Sequence, residues 1–406
     1  MLLGLPRILR AALLLIAAVP LFAGAGHWPA GSAGKRYTDL FIFGDSLTDT
    51  GNVYMLTKFL SSLDPPLVPV ASPDTPYLRG RFSDGRVWVE TLADLVRFPQ
   101  AALPAGMTLV GSPFPIEGLP GWGNNYAIAG ARTDVHGTFD PLGIPTGLQA
   151  QIEWFLDKNG VADADALYVV LAGGNDIRDA ANIVDRKQRR AAARLAAENY
   201  RDAVARLVAV GAKNIVVGNS ADVGRTPESR LVLGNSALAT DATLAFNRAL
   251  FPLLDELAAR TDINLIKIDI FRLFDAVISD ALLRDGREFG VTEVDKPCLY
   301  FPDTENYGAG TVSCEVSLFA DNHHPTAKVH RILGEVAAAC LSPGHRRRDI
   351  HIDDDDRGRN LRRFCETKPS DYHWWGFAGH RSAPAVAFPA LWQGREAAAG
   401  EPYGAR

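Results

Sequence analysis

Two patterns of apolar and polar residues alternate along residues 37–341. Short runs that are apolar throughout have the length of single β-strands. They lie at residues 40–43, 126–129, 167–171, 215–217 and 265–268. Because these runs do not alternate with polar residues, they predict five strands that are buried on both faces of a sheet.

Longer amphipathic segments separate the strands, and two of them predict helices with particular clarity. One covers residues 190–210 and stops at Gly211, and the other begins at Pro325. Their core-facing residues are Leu195, Val204, Leu207 and Val208 in the first, and Val329, Ile332, Leu333 and Val336 in the second. Strands that alternate with helices imply right-handed crossovers and a parallel sheet covered on both faces, so we predict one α/β domain over residues 37–341.

Two segments break this pattern. Residues 60–120 are rich in Pro and Gly and predict long loops over the carboxyl edge of the sheet, where loops shape binding clefts and set specificity. Residues 345–406 show no sustained periodicity and predict a poorly ordered C-terminal extension. Its acidic run at residues 353–356 lacks the spaced ligands and the turn glycine of a calcium loop, so it predicts a solvated stretch.

Residues 1–25 have the order of a secretory signal peptide. Arg7 and Arg10 precede an apolar run at residues 11–22, and small residues follow at 23–25. The alternative, a buried N-terminal helix, needs a polar face that this run lacks. The run is too short to span a bilayer, and no other stretch is long and apolar enough. We therefore expect a secreted or periplasmic protein whose mature form has no transmembrane segment.

The composition and the net charge limit the classes of partner that the protein is expected to bind. The chain of 406 residues is 47% hydrophobic and 22% charged, which is ordinary for a globular protein with one large core. Its formal net charge of -5 argues against a nucleic-acid partner, because phosphate binding needs a concentrated basic face. The charge does not bear on lipid surfaces, which apolar loops can contact.

Ser46 is the candidate nucleophile. It lies in a tight Gly-containing turn, between the strand that ends at Phe43 and a helix predicted to start just after it. A hydroxyl at this place lies beside backbone N–H groups that can stabilise an oxyanion. The alternative is that Asp45 and Ser46 merely cap the helix.

Asp321 and His324 are the candidates for the other two members of a Ser-His-Asp triad. The Asp-x-x-His spacing, with Pro325 opening the next helix, makes a compact turn in which the carboxylate can reach the ring and fix its tautomer. His323 is the rival base. Adjacent histidines also suggest a metal, but neighbours in sequence rarely face one ion and no Cys or Glu cluster adds ligands. We predict neither a metal site nor a cofactor.

Two further residues at strand ends are candidate oxyanion donors. Gly130 follows the strand predicted at residues 126–129, and its missing side chain lets a backbone N–H approach a substrate. Asn175 follows the strand at 167–171, and its amide can donate to a developing negative charge. Taken alone, a glycine or an asparagine at such a position more often serves to form a turn. Together with the triad they lie at the edge of a parallel sheet where α/β ligand sites form.

Several blocks of this sequence resemble the GDSL-type hydrolases of the SGNH superfamily. The matching blocks are GDSL at residues 44–47 with DTGN at 49–52, Gly130, GGND at 173–176, DNHHPT at 321–326, and the segment RFSDGRVW at 81–88. The resemblance covers about residues 37 to 341.

The resemblance implies a three-layer α/β/α sandwich on a five-strand parallel sheet, of the SGNH or flavodoxin-like type. It implies that Ser46 attacks an ester carbonyl, that His324 transfers the proton, and that Asp321 orients His324. The N–H groups of Ser46 and Gly130 and the side chain of Asn175 would hold the oxyanion.

These features predict a secreted serine esterase or lipase that hydrolyses carboxylic acyl esters, phospholipids being one class that it could take. An acyltransferase or a polysaccharide O-deacetylase would use the same acyl-enzyme, so both stay open. A non-catalytic binding protein on this fold is a further alternative, against which the complete set of catalytic groups argues.

Four cysteines, Cys298, Cys314, Cys340 and Cys365, allow three pairings in an exported protein. We favour a disulfide between Cys298 and Cys314, because they bracket a loop rich in Gly, Pro and Asn. Free buried thiols are the alternative.

Overall fold

A computed structural model describes residues 37–72, 75–108, 118–299, 311–341 and 360–365. The predicted signal peptide at residues 1–25 lies outside these ranges, as does most of the predicted C-terminal extension. Within the described ranges, no helix combines the length and the apolar character that crossing a bilayer requires.

A parallel sheet forms the centre of the fold. The described strands are β1 (Leu40–Gly44), β2 (Met107–Thr108), β3 (Gly118–Leu119), β4 (Leu167–Leu171), β5 (Asn214–Gly218) and β6 (Asn264–Ile268). The main sheet has the order β1-β4-β5-β6 with parallel pairing throughout, and β2 and β3 pair antiparallel with each other. The predicted α/β class is confirmed, with four strands in the main sheet instead of the predicted five.

The predicted fifth strand, residues 126–129, follows β1 without becoming a strand of the sheet. The N–H groups of Tyr126 and Ile128 donate to the carbonyls of Ile42 and Gly44, at 2.8 and 3.1 Å. A third bond of the same pairing, from the Ile42 N–H to the Asn124 carbonyl at 3.0 Å, comes just before the predicted segment.

Side chains occupy the other edge of this segment. The Asn52 amide donates to the carbonyls of Asn125 and Ala127, at 2.7 and 2.9 Å. The Asp49 carboxylate accepts the N–H of Ala129 at 3.0 Å. Backbone groups that a further strand would use are thus satisfied locally.

Eight α-helices surround the sheet in the described ranges: α1 (Asn52–Ser61), α2 (Trp88–Leu95), α3 (Leu148–Asn159), α4 (Gly174–Ala180), α5 (Arg186–Ala209), α6 (Ser236–Arg260), α7 (Ile270–Arg284) and α8 (Ala327–Cys340). The two helices predicted from the sequence correspond to α5 and α8. Helix α5 begins four residues earlier than predicted, because Asp185 caps it by accepting the N–H of Gln188.

The helices lie in two layers on opposite faces of the sheet. Alternate residues of β1 point to opposite faces, Phe41 and Phe43 into one core cluster and Leu40 and Ile42 into the other. Helices α1, α3, α5 and α6 contribute to the first cluster, and α2, α7 and α8 to the second. This is the expected three-layer arrangement.

The expectation of loops throughout residues 60–120 is wrong at α2. Trp88 and Leu92 are one helical turn apart and fully buried, and α2 packs closely against α8. Tertiary burial of this face outweighs the Pro and Gly content of the surrounding sequence.

The expectation of poor order after residue 345 is wrong for residues 360–365. Leu361 and Phe364 are buried in the core cluster of α7 and α8, and the Phe364 carbonyl accepts the N–H of Asp269 at 2.8 Å. Cys365 is disulfide-bonded to Cys340 at the end of α8. We call residues 360–365 the C-terminal strap. The other disulfide joins Cys298 to Cys314, the favoured pair.

Replacing Phe364 by Ala should lower the free energy of unfolding by about 3 kcal/mol, because the ring is 2% exposed and its removal leaves a cavity. Denaturant unfolding of the full chain measures this change. Arg362 lies on the exposed side of the strap, so Arg362→Ala is the matched control and should change stability by less than about 0.5 kcal/mol. Equal stability of the two variants would contradict the packing of the strap.

Candidate active site

Ser46 lies in a turn that β1 and β4 fix together. The Asp45 N–H donates to the Leu171 carbonyl at 3.3 Å, and the Asp45 carbonyl accepts the N–H groups of Thr48 and Asp49 at 2.9 Å. A side chain at Gly44 would place its Cβ 2.3 Å from the Leu171 carbonyl oxygen, so this approach of the two strands requires glycine. The turn thus holds Ser46 at the carboxyl edge of the sheet.

Asp49 is a residue of this turn to which the sequence analysis gave no role. Its carboxylate accepts the N–H groups of Gly51, Asn52 and Val53 at the start of α1, and that of Ala129 beside Gly130. Burial raises the pKa of Asp49 to about 6, although these donors act in the opposite direction. Asp49 therefore ties the Ser46 turn to the segment that carries Gly130.

A continuous line of hydrogen bonds joins Asp321, His324 and Ser46. The His324 Nε2 lies 2.8 Å from the Ser46 Oγ, and the His324 Nδ1 lies 2.6 Å from the Asp321 Oδ2. The other carboxylate oxygen of Asp321 accepts the backbone N–H groups of His323 and His324, at 2.8 and 2.7 Å. A proton on Nδ1, shared with the carboxylate, leaves Nε2 free to accept the proton of a serine hydroxyl.

The surroundings keep the Asp321 carboxyl ionised. Burial by itself disfavours the charged form, but the electrostatic interaction with the His324 ring and the hydrogen bonds from His324 and Tyr77 outweigh it, so the pKa of Asp321 lies well below its usual range. An ionised carboxylate can stabilise an imidazolium at His324.

His323, the rival base, has a different environment. Burial and the neighbouring charge of His324 lower the pKa of His323 to about 4. Its Nδ1 has no hydrogen-bond partner and lies 3.9 Å from the Glu228 Oε1. His324 is the histidine that contacts Ser46.

The donor atoms of Asp321, His323 and His324 all lie within 4.8 Å of one another, a spacing that a metal ion could use. Both ring nitrogens of His324, however, are engaged by Asp321 and Ser46. This donor set therefore fits the hydrogen-bonded line better than a metal.

Gly130 and Asn175 lie next to each other at the same edge. Gly130 has φ +82°, and a Cβ there would meet the Thr138 Oγ1 at 1.9 Å, so glycine is required. The Asn175 Nδ2 donates to the carbonyl of Ala131 at 2.9 Å, which leaves its second amide hydrogen for another acceptor. Asn175 lines the same cavity as Ser46 and His324.

Tyr77 and Phe82 support the triad geometry and were missed from the sequence. The Tyr77 hydroxyl donates to the Asp321 Oδ2 at 2.6 Å. The Phe82 ring centroid lies 5.4 Å from that of Tyr77 and 5.0 Å from that of His324. The Ser83 hydroxyl donates to the Pro325 carbonyl at 2.9 Å. The only signal in the sequence was the block at residues 81–88, one of those that resemble the GDSL-type hydrolases, and the structure places Phe82 and Ser83 of this block against the Asp321–His324 turn.

A cavity of about 730 Å³ opens at Ser46. Its lining comes mainly from residues 219–244, after β5, and from α7. In the described ranges, residues 60–120 contribute nothing to this lining, so the expectation that they shape the cleft is wrong for this cavity. Tyr77 and Phe82, within this range, contact Asp321 and His324 of the triad instead.

Comparison with known proteins relates this chain to a family of lipases and acylhydrolases. A family model described as GDSL-like Lipase/Acylhydrolase matches residues 40–337. A phosphatidylcholine-sterol acyltransferase from Aeromonas hydrophila is 25% identical over 352 residues, which cover 77% of this chain and 92% of that protein. The GDSL esterase/lipase At1g71691 from Arabidopsis thaliana is 27% identical over 331 residues, covering 74% and 81%.

Solved structures also match at low similarity. A catalytic mutant of Axe2, an acetylxylan esterase from Geobacillus stearothermophilus, is 14% identical with a TM-score of 0.38, and the match covers 76% of this chain and 95% of that one. Est24, a carbohydrate acetylesterase from Sinorhizobium meliloti, is 12% identical with a TM-score of 0.35 and covers 74% and 96%.

Tyr77→Phe should lower kcat for p-nitrophenyl butyrate about tenfold with little change in KM, because it removes a hydrogen bond to a buried charged group. Steady-state kinetics measure both constants. Tyr54→Phe, a change of the same kind on α1, is the control and should behave as the wild type. Unchanged kcat in Tyr77→Phe would show that the hydroxyl does not position Asp321.

Proposed function

Because this chain belongs to the GDSL-like lipase/acylhydrolase family, whose members act on ester bonds, we propose that it is a secreted serine esterase or lipase that forms an acyl-enzyme on Ser46. The observation that carries the proposal is the line of hydrogen bonds from Asp321 through His324 to Ser46. Nucleophile, base and orienting carboxylate are within hydrogen-bond reach before any substrate is bound.

In the proposed reaction, Ser46 Oγ bonds to the ester carbonyl carbon while His324 Nε2 takes its proton. The N–H groups of Ser46 and Gly130 and the Asn175 amide hold the resulting oxyanion. Its collapse breaks the bond to the alcohol, which leaves with the proton from His324. Water then attacks the acyl-enzyme by the same route, and Ser46 recovers its proton as the carboxylic acid leaves.

The apolar lining of the cavity favours a substrate whose acid part is an extended acyl group. The apolar side chains that line it include Leu47, Ala221, Val223, Leu244, Ile270, Phe271, Phe274, Ile278 and Phe319. A volume of about 730 Å³ lies well inside the range of small-molecule pockets. Acyl lipids, phospholipids among them, are substrates whose chains such a lining would stabilise.

Secretion is part of the proposal and rests on residues 1–25 of the sequence. The two disulfides support it, since stable disulfides are typical of oxidising compartments.

Acyl transfer to a second alcohol is the alternative that a specific observation favours. The Aeromonas hydrophila relative is named as an acyltransferase. Transfer would use the same acyl-enzyme, with an alcohol replacing water in the second step, so the ratio of ester product to free acid separates the two activities.

Ser46→Ala should lower kcat for p-nitrophenyl butyrate by on the order of 10⁴ or more, because the acyl-enzyme cannot form. His324→Ala should lose a similar factor through loss of the base. His323→Ala is the matched control and should retain activity within about tenfold. Comparable rates in Ser46→Ala and the wild type would exclude the serine mechanism.

Filling the cavity at Ile278 should shorten the preferred acyl chain. Ile278 lies eight residues beyond Ile270, about 12 Å along α7, so Ile278→Trp should obstruct long chains and leave acetyl esters unaffected. Hydrolysis of p-nitrophenyl acetate and decanoate measures this, with an expected loss of about tenfold for decanoate only. Leu282→Trp, at an exposed position of the same helix, is the control. Equal losses for both esters would argue against chain binding along α7.

A further inference from the structure

The three proposed oxyanion donors lie on three different parts of the chain. Ser46 lies in the turn after β1, Gly130 follows the segment at residues 126–129, and Asn175 lies in the first turn of α4. Their hydrogens can meet at one oxyanion only while these three parts keep fixed distances from one another. Three aspartates at the carboxyl edge of the sheet connect the three parts in pairs.

Asp45 connects the Ser46 turn to the start of α4. Its buried carboxylate accepts the N–H of Leu47, within the turn, at 3.1 Å. It also accepts the N–H of Gly174, the first residue of α4. Because Asn175 is the next residue of that helix, Asp45 fixes the place of Asn175 relative to the nucleophile.

Asp49 connects the same turn to the residues before Gly130. Its Oδ2 accepts the N–H of Val53, at the start of α1, and that of Ala129, at 3.1 and 3.0 Å. A carboxylate can accept on both oxygens without donating, whereas an amide would present an NH₂ group to one set of these N–H groups. The chemistry of this position therefore favours Asp over Asn.

Asp176 makes the third connection, between α4 and the residues after Gly130. Its Oδ1 accepts the Thr133 hydroxyl at 2.8 Å, and its two oxygens share the Thr133 N–H at 3.2 and 3.1 Å. The Asn175 amide, one residue earlier in α4, donates to the Ala131 carbonyl at 2.9 Å. The chain just beyond Gly130 is thus bound to the helix that carries the third donor.

These three carboxylates are costly to keep charged. Removal from water raises the pKa of Asp45 to about 6 and that of Asp176 to about 7, as it does for Asp49. Negative charges near the donors also oppose the negative charge that an oxyanion develops. The N–H groups that the carboxylates hold, and not their charge, therefore account for their place at this edge.

We propose that Asp45, Asp49 and Asp176 are positioning residues that hold the three oxyanion donors at the spacing which the reaction requires. The proposal rests on the proposed ester hydrolysis at Ser46 and gives a role in it to residues outside the triad. Asp176 offers the sharpest test, because it is half-buried and its side-chain bonds converge on one residue, Thr133.

Asp176→Ala should lower kcat for p-nitrophenyl butyrate about tenfold to a hundredfold and leave KM within about twofold, since complete loss of one oxyanion donor costs about 10²–10³ in kcat. Pentyl trifluoromethyl ketone, which adds to a serine and places its oxyanion among the donors, should bind more weakly by the same factor. Steady-state kinetics and the inhibition constant measure both effects. A wild-type kcat, or a loss of kcat without a matching loss of inhibitor affinity, would overturn the proposal.

Conservative variants test whether the hydrogen bonds matter rather than the side-chain volume. Asp176→Asn keeps an oxygen that can accept both hydrogens of Thr133, so its kcat should stay within about fivefold of the wild type. Thr133→Val removes the hydroxyl from the other side and should lower kcat about threefold to tenfold, whereas Thr133→Ser should behave as the wild type.

Thr133→Val and Thr133→Ser also decide the question on their own should Asp176→Ala fail to fold. Equal kcat values in these two variants would contradict the role of the Asp176–Thr133 contact. A loss in Asp176→Asn as large as that in Asp176→Ala would contradict it as well, because the acceptor oxygen would then not be what matters.

Asp280→Ala is the matched control for general destabilisation. Asp280 is a buried carboxylate near the end of α7, outside the cavity lining, and it accepts the N–H groups of Glu288 and Phe289 at 2.9 Å. Thermal unfolding of the full chain should show a Tm lowered at least as much as in Asp176→Ala, with kcat at the wild-type level. An equal loss of kcat in Asp280→Ala would assign the effect to destabilisation and refute the positioning role.

A double variant connects Asp176 to the donors themselves. Since Asp176 holds the Gly130 segment against Asn175, its removal should matter less once the Asn175 amide is absent. The loss of kcat caused by Asp176→Ala should therefore be smaller in an Asn175→Ala background than in the wild type, and equal losses would overturn the proposal. Ser46→Ala reports separately on the catalytic proposal, because it should lose activity however the donors are positioned.

Discussion

The buried carboxylate of Asp321 accepts hydrogen bonds from the His324 ring, from the Tyr77 hydroxyl and from the backbone N–H groups of His323 and His324. Removing a carboxylate from water costs several kcal/mol, and the charge persists here only because these donors act together. The orientation of the His324 ring toward Ser46 follows from this bond. Tyr77 is far from Asp321 in sequence, so the site holds only while distant parts of the chain are packed together.

What the sequence could predict was local. Continuous apolar runs gave β1, β4, β5 and β6, and the Asp-x-x-His spacing predicted a contact that one turn of chain can make by itself. The failure at residues 126–129 has a different origin, because the polar side chains of Asn52 and Asp49 satisfy backbone groups there. Hydrogen bonds between polar side chains and backbone groups cannot be recognised from the pattern of hydrophobic residues.

The contacts of Tyr77, Asp176 and the strap could not be predicted, since each joins residues far apart in the chain. Pro and Gly content placed the specificity loops at residues 60–120, whereas the cavity lining comes mainly from residues 219–278. Tyr77 and Phe82, which lie within residues 60–120, contact Asp321 and His324 instead.

The C-terminal strap has a consequence for how the cavity is completed. Its Phe364 carbonyl holds the N–H of Asp269, the residue that caps α7, and α7 forms one wall of the cavity. Residues 360–365 are synthesised after every other described element. A nascent chain that has already made Ser46, His324 and all of α7 still lacks the segment that fixes the start of this wall. The contact that fixes the start of this cavity wall is therefore open to the chain only once residues 360–365 have been made.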